Sequence, residues 1–237
     1  MTSFNGSNDF IITVADERHV QYAQQICDEI ESSAKARGTG IAKRSPEYIM
    51  NKMREGKAVI ALTTAGEWAG FCYIETWSHG KYVVNSGLIV APPFRKHGLA
   101  RKIKKRIFEL SRKKYPDAKI FGLTTGLAVM KINSELGYEP VTYSELPQDE
   151  DFWKGCRNCV NHPILESKQR KNCLCTAMLY DPAEKKKNGN LWNFAKNSKL
   201  YERFMRIKTY LMLKESKSTD VKKQKAEFNS VFTFFNF

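Results

Sequence analysis

Arg95-Lys96-His97-Gly98-Leu99-Ala100 is the stretch whose residue types and spacing suit a phosphate. It follows an apolar strand ending in Leu88-Ile89-Val90 and the pair Pro92-Pro93, and it runs into a long basic helix. The first N–H groups of a helix have no partner within it, and the dipole there favours an anion. Gly98 lets main chain approach a ligand because it lacks a Cβ, and Ala100 keeps the next approach small. Arg101 adds a cation at the helix start. The bland alternative is an ordinary strand-to-helix turn.

Four cysteines form a second group: Cys156-x-x-Cys159 and Cys173-x-Cys175, with His162 between the pairs. Two close pairs separated by a polar loop suit four thiolates around a structural Zn²⁺ that closes residues 146–175 onto the sheet. The other reading is packing, because Cys173 and Cys175 open an apolar strand, CLCTAMLY, and share one face of it. Cys27 and Cys72 lie in apolar periodic segments and read as buried small hydrophobes.

The elements that must position these groups follow from periodicity. FIITV (10–14) reads as a strand, and Asp16 caps a helix of about five turns carrying Val20, Ala23, Cys27, Ile30 and Ala34. Ser45-Pro46-Glu47 starts a second helix. Strands at 58–62, 68–77 and 82–90 are joined by the turns Ala65-Gly66 and Ser78-His79-Gly80. The basic helix carries Leu99, Ile103, Ile107 and Leu110 on one stripe, and its Lys and Arg residues, Lys104 among them, read as a solvated surface. A strand at 119–124, a helix at 127–136 ending on Gly137, and strands at 138–143 and about 173–180 complete a domain over residues 1–182.

The 237-residue chain carries a net charge of +14 and is 42% apolar, enough for a real core and too broken for a run of about 18 apolar residues. MTSFNGSNDF lacks a basic and apolar leader, so a cytoplasmic location is the expectation. Residues 183–237 hold 13 Lys+Arg against 5 Asp+Glu. They read as a linker at 183–190, a helix at 191–213, and a Phe-rich end that docks on the body or pairs two copies in a homodimer.

The order β-α-α-β-β-β-α-β-α-β, the spacing Arg95-x-x-Gly98-x-Ala100 and the ending Glu135-Leu136-Gly137-Tyr138-Glu139 together resemble the GNAT family of N-acetyltransferases. The resemblance implies an α/β (α+β) fold: a mixed, mostly antiparallel sheet with helices on both faces, here with a Cys-rich insertion and a basic tail. It implies an acetyl-CoA or other acyl-CoA co-substrate held by residues 95–101 and by the splayed strand end Leu88-Ile89-Val90, whose main chain pairs with pantetheine and serves the oxyanion. Two positions depart from the family. Asn133 stands where many members carry a Tyr acid, so it is expected only to contact the cofactor. Asn85 and Ser86 stand where many carry a carboxylate base. Glu75, on the neighbouring strand, is the candidate base, with Tyr73 and Tyr82 as weaker candidates for the acid. Thr124 and Thr125 end the strand at the cleft, as ligand contacts or helix caps.

The connection Arg37-Gly38-Thr39-Gly40-Ile41-Ala42-Lys43-Arg44 overhangs the acceptor in that fold. Arg37, Lys43 and Arg44 suit an acceptor with carboxylates. This segment, with Asn85-Ser86 and the Cys-rich insertion, is similar to the bacterial GNAT-type glutamate N-acyltransferases that start arginine biosynthesis, which implies glutamate as acceptor and acetyl- or succinyl-CoA as donor. The competing reading is a non-catalytic module that grips nucleic acid or an acidic partner through its tail. A protein or aminoglycoside acetyltransferase ranks third, since those three cations would repel a basic acceptor.

Overall fold

The computed structural model describes residues 10–36, 38, 44–157 and 159–187 of the chain. Arg37, Lys43 and everything expected of residues 188–237 lie outside the described residues.

Seven strands form one sheet: β1 (Phe10–Val14), β2 (Ala58–Thr63), β3 (Trp68–Trp77), β4 (Tyr82–Val90), β5 (Lys119–Thr124), β6 (Glu139–Pro140) and β7 (Thr176–Tyr180). Their order is β1-β2-β3-β4-β5-β7-β6. Every neighbouring pair is antiparallel except β4 and β5. A parallel pair needs a long crossover, and α3 (Leu99–Lys114) provides it. The other helices are α1 (Ala23–Ala36), α2 (Pro46–Arg54), α4 (Leu127–Glu135), α5 (Glu150–Lys154), α6 (His162–Ser167) and α7 (Pro182–Lys187). Among the described residues no helix is long and apolar enough to cross a membrane.

Pleating sends alternate side chains to opposite faces, so each strand carries two sets of neighbours. One face bears Glu75, Val84 and Phe121 and meets α2 and the insertion, where Phe121, Phe152, Trp153 and Leu165 form a cluster. The other bears Asn85 and Gly122 and meets α3 and α4. Leu99, Ile103 and Ile107 of the expected stripe are almost wholly buried. Each contributes roughly 1.5–3 kcal/mol of transfer free energy, enough to fix α3 on the sheet. Lys104 departs from the expectation: it is 2% exposed, inside the packing interface rather than on the wet side of the helix.

Three boundaries differ from the sequence reading. Residues Glu17–Tyr22 form a 3₁₀ segment, because the Asp16 carboxylate accepts from Arg18 N–H while Asp16 N–H donates to His19 Nδ1. The regular helix starts only at Ala23. The expected strand at 138–143 shrinks to Glu139–Pro140, since Pro140 offers no N–H and a Thr142–Glu145 capping box turns the chain into a 3₁₀ segment. The expected linker after β7 begins as α7. Cys72 is buried as expected, and Cys27 is half-buried.

Candidate active site

The β4–α3 connection forms a cradle built from main chain. Gly98, the N-cap of α3, has φ 74° and no side chain caps the helix. A Cβ built on Gly98 would meet no protein atom within 4 Å, so the space above this turn is open. Left-handed φ is cheap only for glycine, yet Lys96 also adopts it, at φ 69°. Lys96 and His97 are exposed beside the turn. A cleft of about 330 Å³ opens here, lined by Val90, Lys96, Gly98, Ala100, Lys131 and Ile132 among others. Uncapped amides, open space and nearby cations fit a diphosphate.

The cations expected to reach that phosphate divide into two groups. Arg95 borders the cleft but is already engaged: its guanidinium donates to Val90 O at 2.9 Å, Glu29 Oε1 at 2.6 Å and Ser33 Oγ at 2.8 Å, tying the loop to α1. Arg101 is held by Glu135 of α4 at 2.6 and 2.8 Å. These two shape the cradle, while Lys96 and His97 remain beside it. Leu99 is buried, so its part in the cradle is its amide alone.

A gap leads away from the cradle. β4 and β5 pair only at Tyr82↔Lys119, Val83↔Ile120 and Val84↔Phe121. Beyond that point β4 runs on to Val90 and β5 to Thr124 without pairing to each other. The main chain of Leu88-Ile89-Val90 therefore flanks an open slot. On its other side β4 bulges against β3: the register steps from Tyr73↔Ser86 to Phe71↔Ile89. Gly87 sits in the bulge at φ 65°, where a Cβ would lie 2.5 Å from Tyr73 Cε1. Only glycine lets the strand turn there against that ring.

The expected catalytic residues fall on different faces. Asn85 is buried on the α3 face, where its Nδ2 donates to Ser111 Oγ at 2.8 Å and its Oδ1 accepts from Lys104 Nζ at 3.1 Å and Tyr138 Oη at 3.2 Å. Ser86 points to the opposite face, and its carbonyl accepts from the Cys72 thiol. Asn133 of α4 is 1% exposed and its Oδ1 has no partner. Its amide lies 3.3 Å from where a Cβ of Gly122 would be, beside the apex of the gap. Thr124 Oγ1 accepts from Gly126 N–H at 3.0 Å, a local turn contact just before α4, which no side chain caps, and Thr125 is exposed.

Glu75 is 7% exposed and lies on the α2 face with Tyr73. Its carboxylate accepts from Lys52 Nζ at 3.1 Å and from the Tyr48 hydroxyl, and Arg44 Nη2 is 3.6 Å away. Arg44 Nε donates to Tyr73 Oη at 3.2 Å, and its guanidinium lies 5.1 Å from the Tyr48 ring centroid. Burial pushes the Tyr73 phenol up to about 12, and burial with the Glu75 carboxylate beside it pushes Tyr48 higher still. Both phenols therefore stay protonated and act as hydrogen-bond partners. Glu75, with its oxygens engaged, is an anion clamped between α2 and β3. Tyr48 and Lys52 escaped the sequence reading, although their spacing of four on a helix places them on one face. Tyr82 packs edge-on against Phe121 at the far end of β4, away from the gap.

The four grouped cysteines converge. Cys156, Cys159, Cys173 and Cys175 line one small void with His162 and Tyr143. Among the described residues no group of three or more His, Cys, Asp or Glu stands so as to hold a metal ion, which leaves the expected zinc unsupported. The thiols have other engagements: Cys173 Sγ donates to Asn161 O at 3.8 Å, and Cys159 Sγ accepts from Asn161 N–H at 3.4 Å. Cys173 belongs to the apolar cluster around Trp153, with Cys156 packed on it. This is the packing alternative that the apolar strand CLCTAMLY allowed.

Solved structures share this fold. The N-acetylglutamate synthase of Neisseria gonorrhoeae, complexed with coenzyme A and N-acetyl-glutamate, is 16% identical and superposes with a TM-score of 0.52 over 74% of this chain. This chain spans 36% of that synthase. A GNAT-family acetyltransferase from Staphylococcus aureus is 12% identical, with a TM-score of 0.53 over 73% of this chain and 99% of its own. A Mycobacterium tuberculosis protein complexed with CoA is 15% identical, with a TM-score of 0.51 over 72% and 98%. No family model matches the sequence, and no curated protein does. At such identities the likeness is one of fold.

Proposed function

We propose that this chain, which has the fold of the GNAT N-acetyltransferases, is an acyl-CoA-dependent N-acyltransferase acting on a small acidic amino acid, with glutamate as acceptor and acetyl- or succinyl-CoA as donor. The observation that carries this reading is the β4–β5 gap ending on the open turn at Gly98. The diphosphate of the donor sits on the α3 amides, and pantetheine lies along Leu88-Ile89-Val90 as an added strand would. The thioester then reaches the β4 bulge, where an amide serves the oxyanion. Holding two reactants so can supply on the order of 7–11 kcal/mol of the barrier reduction in favourable cases.

The acceptor enters from the other face. Arg44 and Lys52 carry two cations around the single carboxylate of Glu75. That surplus meets an acceptor carboxylate, while Glu75 holds the acceptor ammonium and takes its proton toward solvent. An acyl-glutamate product fits the first step of arginine biosynthesis, and the Neisseria protein is by name an N-acetylglutamate synthase.

The test is thiol release from acetyl- and succinyl-CoA with a panel of amino acids. Release with glutamate or aspartate supports the assignment. Release with lysine or polyamines alone overturns the acceptor class, and no CoA binding overturns the transferase. The second reading is a non-catalytic module, favoured by the clamped Glu75 and by Asn133 at the usual acid position. It predicts oligonucleotide binding with a steep salt slope through the basic tail.

A further inference from the structure

The last β4–β5 pair is Val84↔Phe121, so Asn85 and Gly122 are the first residues past the apex of the gap. A buried polar cluster surrounds this apex. Asn85 Oδ1 holds the Lys104 ammonium at 3.1 Å, and Nζ stands 5.2 Å from the Tyr138 ring centroid. On the Gly122 side lies the Asn133 amide, its Nδ2 3.3 Å from where a Gly122 Cβ would be and its Oδ1 without a partner among the described residues. Among the described residues Lys104 has no carboxylate in an ion pair, and it is 2% exposed. An amine placed so costs stability, because the charged form is desolvated without a counter-ion. Packing alone would be better served by an apolar residue of the same length.

We propose that Lys104 is the proton donor to the sulfur that leaves coenzyme A, taking the place of the phenol absent at Asn133. The inference rests on the transferase reading above. The neutral acceptor amine adds to the thioester carbonyl, forming the C–N bond and moving the carbonyl pair onto oxygen. The adduct collapses, the C–S bond breaks, and sulfur departs with the electron pair. It takes a proton from Lys104 Nζ, giving the thiol and a neutral amine that stays on Asn85 Oδ1. The proton shed by the new amide nitrogen goes to water, and Lys104 recovers one from solvent before the next turnover.

The surroundings suit this exchange. The groups facing Nζ are the Cys72 thiol from β3, Asn85 from β4, Ser111 from α3, and Tyr138, with Tyr180 of β7 stacked behind it. Cys72 and Tyr138 are both pushed up by burial, so neither supplies a negative charge at neutral pH. Burial lowers Lys104 to about 8, near the value of about 8.5 for an ordinary thiol. Proton transfer between groups so matched has little thermodynamic bias.

The experiment compares wild type with Lys104→Met and Lys104→Arg. CoA affinity is measured first, by calorimetry. The expected result is affinity within about two-fold in all three, kcat lower by about 10²–10⁴ in both variants, and loss of the alkaline limb that wild-type kcat shows near pH 8. A second readout does not depend on turnover: the ¹³Cε lysine signal absent from Lys104→Met should shift on adding CoA and not desulfo-CoA. Wild type that fails to bind CoA overturns the transferase reading and this inference with it. CoA binding together with full kcat in Lys104→Met, or a lysine signal blind to the sulfur, overturns the inference alone.

Discussion

Lys52 Nζ lies 3.1 Å from Glu75 Oε2, joining the last turn of α2 to β3 across the face that also carries Arg44 and Tyr73. In the proposed reading this contact organises the acceptor surface. Glu75→Gln should leave Lys52 and Arg44 without a counter-anion while keeping the shape. The expected outcome is an acceptor KM at least ten-fold higher, an unchanged CoA affinity, and a loss of about 2 kcal/mol in stability from weakened charged hydrogen bonds. Steady-state kinetics with varied acceptor, and a denaturation curve, check it. An unchanged acceptor KM would remove Glu75 from the site.

Gly98 tests the cradle. At φ 74° a β-branched residue is strained by about 1–3 kcal/mol. Its side chain would also project into the open space above the turn. Gly98→Val should weaken CoA binding by at least ten-fold in calorimetry. Binding of equal strength would mean that the diphosphate lies elsewhere.

Gly87 tests the bulge. A Cβ there collides with the Tyr73 ring, and φ is 65°. Gly87→Ala should cost about 1–3 kcal/mol and, by displacing Tyr73 from Arg44, lower kcat more than CoA affinity. A variant with native Tm and native kcat would show that the ring has room to move.

Lys104 gives a pH dependence of stability whose sign is fixed. Its folded pKa, about 8, is below the model-compound value of 10.5. Between those values the unfolded chain binds more protons, so this residue makes stability rise as pH climbs from about 8 to 10.5. The whole swing is on the order of 3 kcal/mol. Lys104→Met should lack this rise and should exceed wild type in stability at pH 7. Urea denaturation of both proteins at pH 7, 9 and 10.5 measures the difference, and parallel curves would refute it.

Burial pushes the Cys72 thiol up to about 12, and burial with its thiol neighbours Cys159 and Cys173 pushes Cys156 up to about 11. The thiolate is the nucleophile. Iodoacetamide at pH 8 should therefore leave both unmodified in the native protein and label both after denaturation, as mass spectrometry of peptides would report. Rapid native labelling of Cys72 would contradict its packing.

Much of this molecule can be read from the order of its residues. The strands around β4, the capped start of α2 at Ser45-Pro46 and the glycine that opens α3 are local signals, each set by neighbours within a few positions. What escaped reading depends on residues far apart in the chain. Lys104 looks like one of many cations on a basic helix until Asn85 and Tyr138 close over it. Lys52 acquires its role only when β3 brings Glu75 alongside, 23 positions later. Arg95 reads as a phosphate contact, but Glu29 and Ser33 of α1 claim its guanidinium first. The cysteines allowed two readings, an ion or packing, and Cys173 and Cys156 lie against the apolar cluster of Trp153 and Leu165, which neighbouring positions alone could not disclose.

The slot between β4 and β5 is walled by peptide groups, which every amino acid carries alike. Side chains along it can be exchanged freely so long as two strands part company after Val84 and a glycine follows at the helix start. Selection on such a device leaves almost no trace in residue identity. That is how a shape can persist at 12–16% identity while whatever distinguishes this chain is written in the few polar groups gathered on either side of its sheet.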